Sequence, residues 1–67
     1  MKANQEALKM AMARACMGIV DISLKSGMPL PTVRNVIYGR SVKPATLGKV
    51  ALALGVDPAE IAERKEV

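Results

Sequence analysis

The stretch Val20-Asp21-Ile22-Ser23-Leu24-Lys25-Ser26-Gly27-Met28-Pro29-Leu30-Pro31-Thr32-Val33-Arg34-Asn35-Val36-Ile37-Tyr38-Gly39 reads as two short helices joined through a glycine. From Val20 to Ser26 one residue, Ile22, points to a core. Asp21 falls in the first turn, where the positive end of the helix dipole favours a carboxylate. Gly27 suits the left-handed position just past a helix end. Prolines then cluster where the next helix must open, and a proline in a first turn sacrifices no intrahelical hydrogen bond. The second of the two helices therefore begins near Leu30 or Pro31. Val33, Val36 and Ile37 have the i, i+3, i+4 spacing of a buried stripe. Arg34, Asn35 and Tyr38 project elsewhere, and Gly39 ends the helix.

The same punctuation extends in both directions. Upstream, Asn4 is a good N-cap and Glu6 a good first-turn residue, while Leu8, Ala11, Met12 and Ala15 recur at helical spacing, predicting a helix from about Gln5 to Cys16. Gly18 breaks it. Downstream, the loop Arg40 to Lys43 leads to Pro44, which opens a helix with Leu47, Val50, Ala51 and Leu54 on its apolar face and Gly55 as its stop. Asp57-Pro58-Ala59-Glu60 is a capping box with proline at the first helical position, predicting a last helix from about Pro58 to Arg64 with Ile61 facing inward. These signals predict an all-α fold of five helices in a single domain spanning residues 1–67, without repeat or linker.

Composition supports that class. A chain of 67 residues buries about 60% of the surface its unfolded form exposes, so its stability is expected to be modest. Phe and Trp are absent, so packing falls to many aliphatic contacts, with the methionines as filler and Cys16 as a small buried hydrophobe. A lone cysteine forms no internal disulfide, and a chain without histidine assembles no ordinary zinc site. No metal and no cofactor is expected. Lys9 and Arg14 interrupt any secretory h-region, and no uncharged run approaches the roughly 20 apolar residues of a membrane span, so a cytoplasmic protein without membrane contact is expected. Catalysis is excluded on inventory, because the carboxylates are dispersed and the thiol has no base near it in sequence.

The formal charge is +4, and its distribution is uneven. No Asp or Glu occurs between Asp21 and Asp57, an interval that holds Lys25, Arg34, Arg40, Lys43 and Lys49. Asp57, Glu60, Glu63 and Glu66 crowd the end. A polyanionic partner would meet the middle of the chain, although scattered cations are more commonly solvated surface charge.

The register of these signals resembles the phage Cro and repressor type of helix-turn-helix domain, the XRE family, with its lambda-repressor-like fold. The residues that carry the resemblance are Ile22-Ser23, Gly27, Met28, Thr32-Val33, Gly39, Pro44, Leu47, Ala51 and Leu54-Gly55-Val56, without gaps. Ile19 replaces the family's phosphate-touching glutamine, and Pro29 stands where a Ser or Thr cap is usual. Met12 and Ile37 replace a buried Arg–Glu pair, which implies direct contact between the first and third helices; exchanging both charged partners for apolar ones is often neutral or stabilising.

The resemblance implies a sequence-specific transcriptional regulator of Cro-like or controller type, a phage or mobile-element repressor, that binds double-stranded DNA as a homodimer in association with the nucleoid. The third helix would enter the major groove, with Leu30, Pro31, Thr32, Arg34 and Asn35 reading bases. Arg40 and Lys43 would bind phosphates, with Lys25, Tyr38 and Lys49 as further candidates, although the Tyr38 ring equally suits a role covering the helix end. Val56, Ile61 and Val67 would supply a dimer interface. No small-molecule ligand is expected. The alternative is a protein-interaction module of the same fold, such as an antitoxin or a mobile-element accessory factor.

Overall fold

The computed structural model describes residues 1–63. Five helices follow in order: α1 (Gln5–Ala15), α2 (Ile19–Ser26), α3 (Leu30–Ile37), α4 (Pro44–Leu54) and α5 (Pro58–Ile61). Among the described residues no helix is long and apolar enough to cross a membrane.

Local chemistry accounts for the helix starts. The Asn4 side chain accepts a hydrogen bond from the Ala7 backbone N–H at 3.0 Å. The Asp21 carboxylate accepts from the Gly18 N–H at 2.8 Å, which moves the start of α2 to Ile19, one residue earlier than the sequence suggests. At α5 the Asp57 carboxylate accepts from the Ala59 N–H and the Glu60 carboxylate from the Asp57 N–H, the reciprocal pair of a capping box. Three helix ends share one closure. At Cys16, Gly39 and Gly55 the chain turns left-handed, and paired backbone bonds, such as Gly39 N–H to Val36 O and Arg40 N–H to Asn35 O, satisfy the last carbonyls. This is the Schellman arrangement.

The core is aliphatic. Leu8, Ile22, Val33, Val36, Leu47, Val50 and Ile61 are fully buried, and among the described residues no polar or charged one is buried with them. α4 packs on each of the other four helices, α2 packs on α3, and α1 packs on α5. Met28 belongs to the core and Met12 and Met17 flank it, but Met1 and Met10 are more than half exposed, so the methionines are filler in part.

Two expectations are corrected. α5 stops at Ile61 rather than near Arg64, a residue outside those described, because Ala62 turns extended and pairs with Ala3 in an isolated antiparallel bridge. The Asn4 N–H donates to Ile61 O at 2.7 Å and the Glu63 N–H to Lys2 O at 2.8 Å. These bonds to the start of the chain take the place of another helical turn. Cys16 is exposed, because at φ 53° it occupies the left-handed position that terminates α1.

A glycine in that position carries no Cβ strain. Cys16→Gly is therefore expected to stabilise the fold, by about 0.5–1 kcal/mol in urea unfolding. Met12 and Ile37 are each half-buried against the core, on two helices that touch. Ile37→Glu is expected to cost about 1–3 kcal/mol, less than for a fully buried carboxylate, and adding Met12→Arg should recover part of the loss. A double variant no more stable than Ile37→Glu would separate the two positions.

Candidate functional site

The structure sorts the polar residues singled out by sequence into two places. Pro31, Arg34, Asn35, Tyr38 and Arg40 line one open cleft of about 220 Å³ on the outer side of α3. Lys25 and Lys49 lie elsewhere, lining a groove of about 300 Å³ between the end of α2 and the middle of α4, together with Ser26, Leu52 and Ala53. Leu30 and Thr32 are half-buried and line neither, while Lys43 is exposed as the residue before α4.

The α3 cleft follows from how the helix begins and ends. At its start, Pro29 is extended and its carbonyl accepts from the N–H groups of Thr32 and Val33. The preceding turn is held by serines: the Ser23 hydroxyl donates to Met28 O at 2.6 Å, and the Met28 N–H donates to the Ser26 hydroxyl at 3.3 Å. Val33 and Val36 anchor the inner face in the core. Residues at the next positions round the helix, Arg34 and Asn35, must then face outward or sideways. Gly39, at φ 75°, reverses the chain so that the Arg40 N–H bonds back to Asn35 O at 3.0 Å. Sequence reasoning named these residues but spread them over two roles; the turn at Gly39 makes Arg40 a neighbour of Asn35.

Chemically the cleft gathers positive charge and hydrogen-bonding groups. Two guanidinium groups, an amide and a phenol line it, with no carboxylate among them. Arg34 and Arg40 are exposed and Tyr38 is 60% exposed, so their donors are free to turn toward a ligand. Guanidinium forks match phosphate-like oxygens in pairs.

A larger groove of about 490 Å³ between α1 and α5 is lined by Met10, Arg14, Val56 and Glu60 among others. Of the three residues expected at a dimer interface, Ile61 is fully buried in the core of the single chain and Val56 is half-buried against it. Val67 lies outside the described residues.

Gly39→Ala tests the construction of the cleft. The added Cβ would face the Gln5 side chain at 3.3 Å and sit at positive φ. The expected loss is about 1–2 kcal/mol in urea unfolding, with shifts of the Arg40 and Asn35 amide resonances.

No family model matches this chain, and no curated protein sequence matches it. Solved structures do. A variant of hydroxyethylphosphonate dioxygenase matches with a TM-score of 0.81 and 22% identity, over 100% of this chain and 15% of that one. PhpD with cadmium atoms, and PhpD with cadmium and hydroxyethylphosphonate, each match with a TM-score of 0.79 at 22% identity and the same coverage. The chain thus spans about one seventh of these neighbours, and at this identity the likeness is one of fold.

These neighbours overturn the reading that followed from the repressor resemblance. They carry the fold within an enzyme, not a Cro or XRE repressor, so a homodimeric transcriptional regulator on double-stranded DNA is corrected, and its antitoxin or accessory-factor alternative finds no support in them. The exclusion of an enzymatic role and of a small-molecule ligand is corrected too, since one neighbour is complexed with hydroxyethylphosphonate. The physical reason is that a helical layout specifies packing, while function resides in the groups placed on it. The cadmium of the neighbours has no matching donor set here: the sequence has no histidine, and no group of three His, Cys, Asp or Glu converges among the described residues.

Proposed function

We propose that this chain is a helical module of a phosphonate-handling enzyme, and that the cleft of Arg34, Asn35, Tyr38 and Arg40 receives the anionic head of a small phosphonate. The observation that carries the reading is that cleft: two arginines and two neutral hydrogen-bonding groups, gathered without a carboxylate in a space of about 220 Å³. The whole-chain likeness of fold to a dioxygenase, seen once with hydroxyethylphosphonate, supports the choice of anion.

In this reading residues 1–63 act as one packed unit, and α2 and α3, joined through Gly27, form a helix-turn-helix pair whose second member presents the cleft. The exposed free thiol of Cys16 suits a reducing, cytoplasmic setting. The module binds and orients. Arg34 and Arg40 neutralise the phosphonate dianion and fix two of its oxygens; Asn35 and Tyr38 donate to the remaining oxygen or to a hydroxyl on the ligand. Metal chemistry belongs to other parts of the enzyme, because the donor set described here does not fit a metal ion.

Binding to an open, hydrated cleft is expected to be weak, with Kd of roughly 1 mM, equivalent to about −4 kcal/mol. Titration of the isotope-labelled chain with hydroxyethylphosphonate at constant ionic strength should give saturable shifts at residues 34, 35, 38 and 40. Arg34→Ala and Arg40→Ala should each weaken binding at least tenfold, as expected for loss of a charge-assisted hydrogen bond worth about 1.5–3 kcal/mol. Shifts that fail to saturate, or that persist unchanged in both variants, would remove the reading.

A further inference from the structure

We propose that the outer surface of α2 and α4 docks an acidic, amphipathic segment from the catalytic part of the enzyme. The proposal takes the partner's identity from the enzyme-module reading, but its surface is separate from the phosphonate cleft. Leu24 and Leu52 are 78% and 80% exposed, the two largest exposures among the large hydrophobic side chains of the described residues. Val20, one turn before Leu24 on α2, is 53% exposed.

Single exposed leucines are ordinary on protein surfaces. Here Leu52 borders a groove whose other residues are Lys25, Ser26, Lys49 and the buried Ala53. The groove thus joins an apolar side chain and a small-residue wall to two lysines, and no carboxylate lines it. Asp21, the acidic residue of α2, already accepts the Gly18 N–H. A segment that buried apolar groups against Leu52 would bring its flanking groups beside Lys25 and Lys49. Carboxylates there would gain attraction, and cations would meet repulsion.

Helix-in-groove recognition has this pattern of apolar anchors and charged flanks. The fold also occurs as about one seventh of a longer enzyme chain, which is the reason the occupant is sought in the same enzyme. The α3 cleft opens on a different set of residues, so docking through α2 and α4 leaves that cleft accessible.

The test uses two synthetic helical peptides, each with a leucine stripe, one flanked by glutamates and the other by lysines, titrated against the isotope-labelled chain. The glutamate peptide is expected to bind at least tenfold more tightly than the lysine peptide, shifting residues 24, 25, 49 and 52. Lys49→Glu should erase that preference. Leu52→Ser should weaken binding at least tenfold while leaving the helical circular dichroism unchanged, and Leu24→Ser serves as a second variant should Leu52→Ser fail to fold. Equal affinity for both peptides, binding that survives Leu52→Ser, or no binding overturns the proposal. Concentration-dependent self-association abolished by Leu52→Ser overturns it in favour of a second copy as occupant. Hydroxyethylphosphonate titration of Leu52→Ser should match the parent chain, so failure of the cleft and failure of the docking face are read separately.

Discussion

The burial of one face of α4 is the constraint on which the other elements depend. Leu47, Val50, Ala51, Ala53 and Leu54 are buried on this helix, and each of the other four helices packs against it. Among the described residues the core holds no aromatic ring and no buried polar residue. Its cohesion is therefore the sum of many close aliphatic contacts, which are sensitive to lost volume and indifferent to pH. A core of this kind imposes shape without specifying any chemistry, and the chemistry is displaced to the surface.

How the surface is organised follows from the helix ends. α3 has its inner residues fixed by the core and its outer residues fixed by what precedes and follows it. The serine-bonded turn before Pro29 sets where α3 enters, and the left-handed turn at Gly39 sets where Arg40 returns. The first three residues contribute a further closure. Ala3 pairs with Ala62, and the Val42 N–H donates to Met1 O at 2.7 Å, so the start of the chain ties the end of α5 to the loop between α3 and α4. That loop also contains Arg40, which links the closure of the fold to the position of a cleft residue.

The helices were legible from local signals, and the closure was not. Asn4, Gly27, Pro44, Gly55 and the Asp57–Glu60 box each act within one helical turn, so their meaning survives without knowledge of the rest of the chain. The Ala3–Ala62 bridge joins positions far apart in sequence through backbone groups, which leave no side-chain pattern. It shortened α5 where the helical signals continued. Cys16 misled for a related reason: its apolar neighbours suggested burial, whereas its position at the end of α1 required a left-handed turn that puts it in water. For the candidate site, the residue types were visible, but their grouping was not. Arg34 and Arg40 become neighbours only through the reversal at Gly39, and Lys25 and Lys49 only through the packing of α2 on α4.

The same distinction explains why a resemblance of layout led to the wrong class of partner. Glycine and proline spacing reports where helices start and stop, and aliphatic spacing reports which faces meet; neither reports what the outer face touches. Cations on an outward face serve any ligand with anionic oxygens, and the phosphate of a nucleic acid and the head of a phosphonate present similar oxygens to an arginine fork. What separates them is the surrounding surface. A polyanion extended along the protein would be met most effectively by a continuous band of charge, whereas here Arg34 and Arg40 line a cleft on α3 and Lys25 and Lys49 an apolar-edged groove on α2 and α4. The first setting suits a compact anion, and the second suits a partner that brings apolar groups together with its carboxylates. Division of charge, rather than its total, is the feature on which both proposals rest.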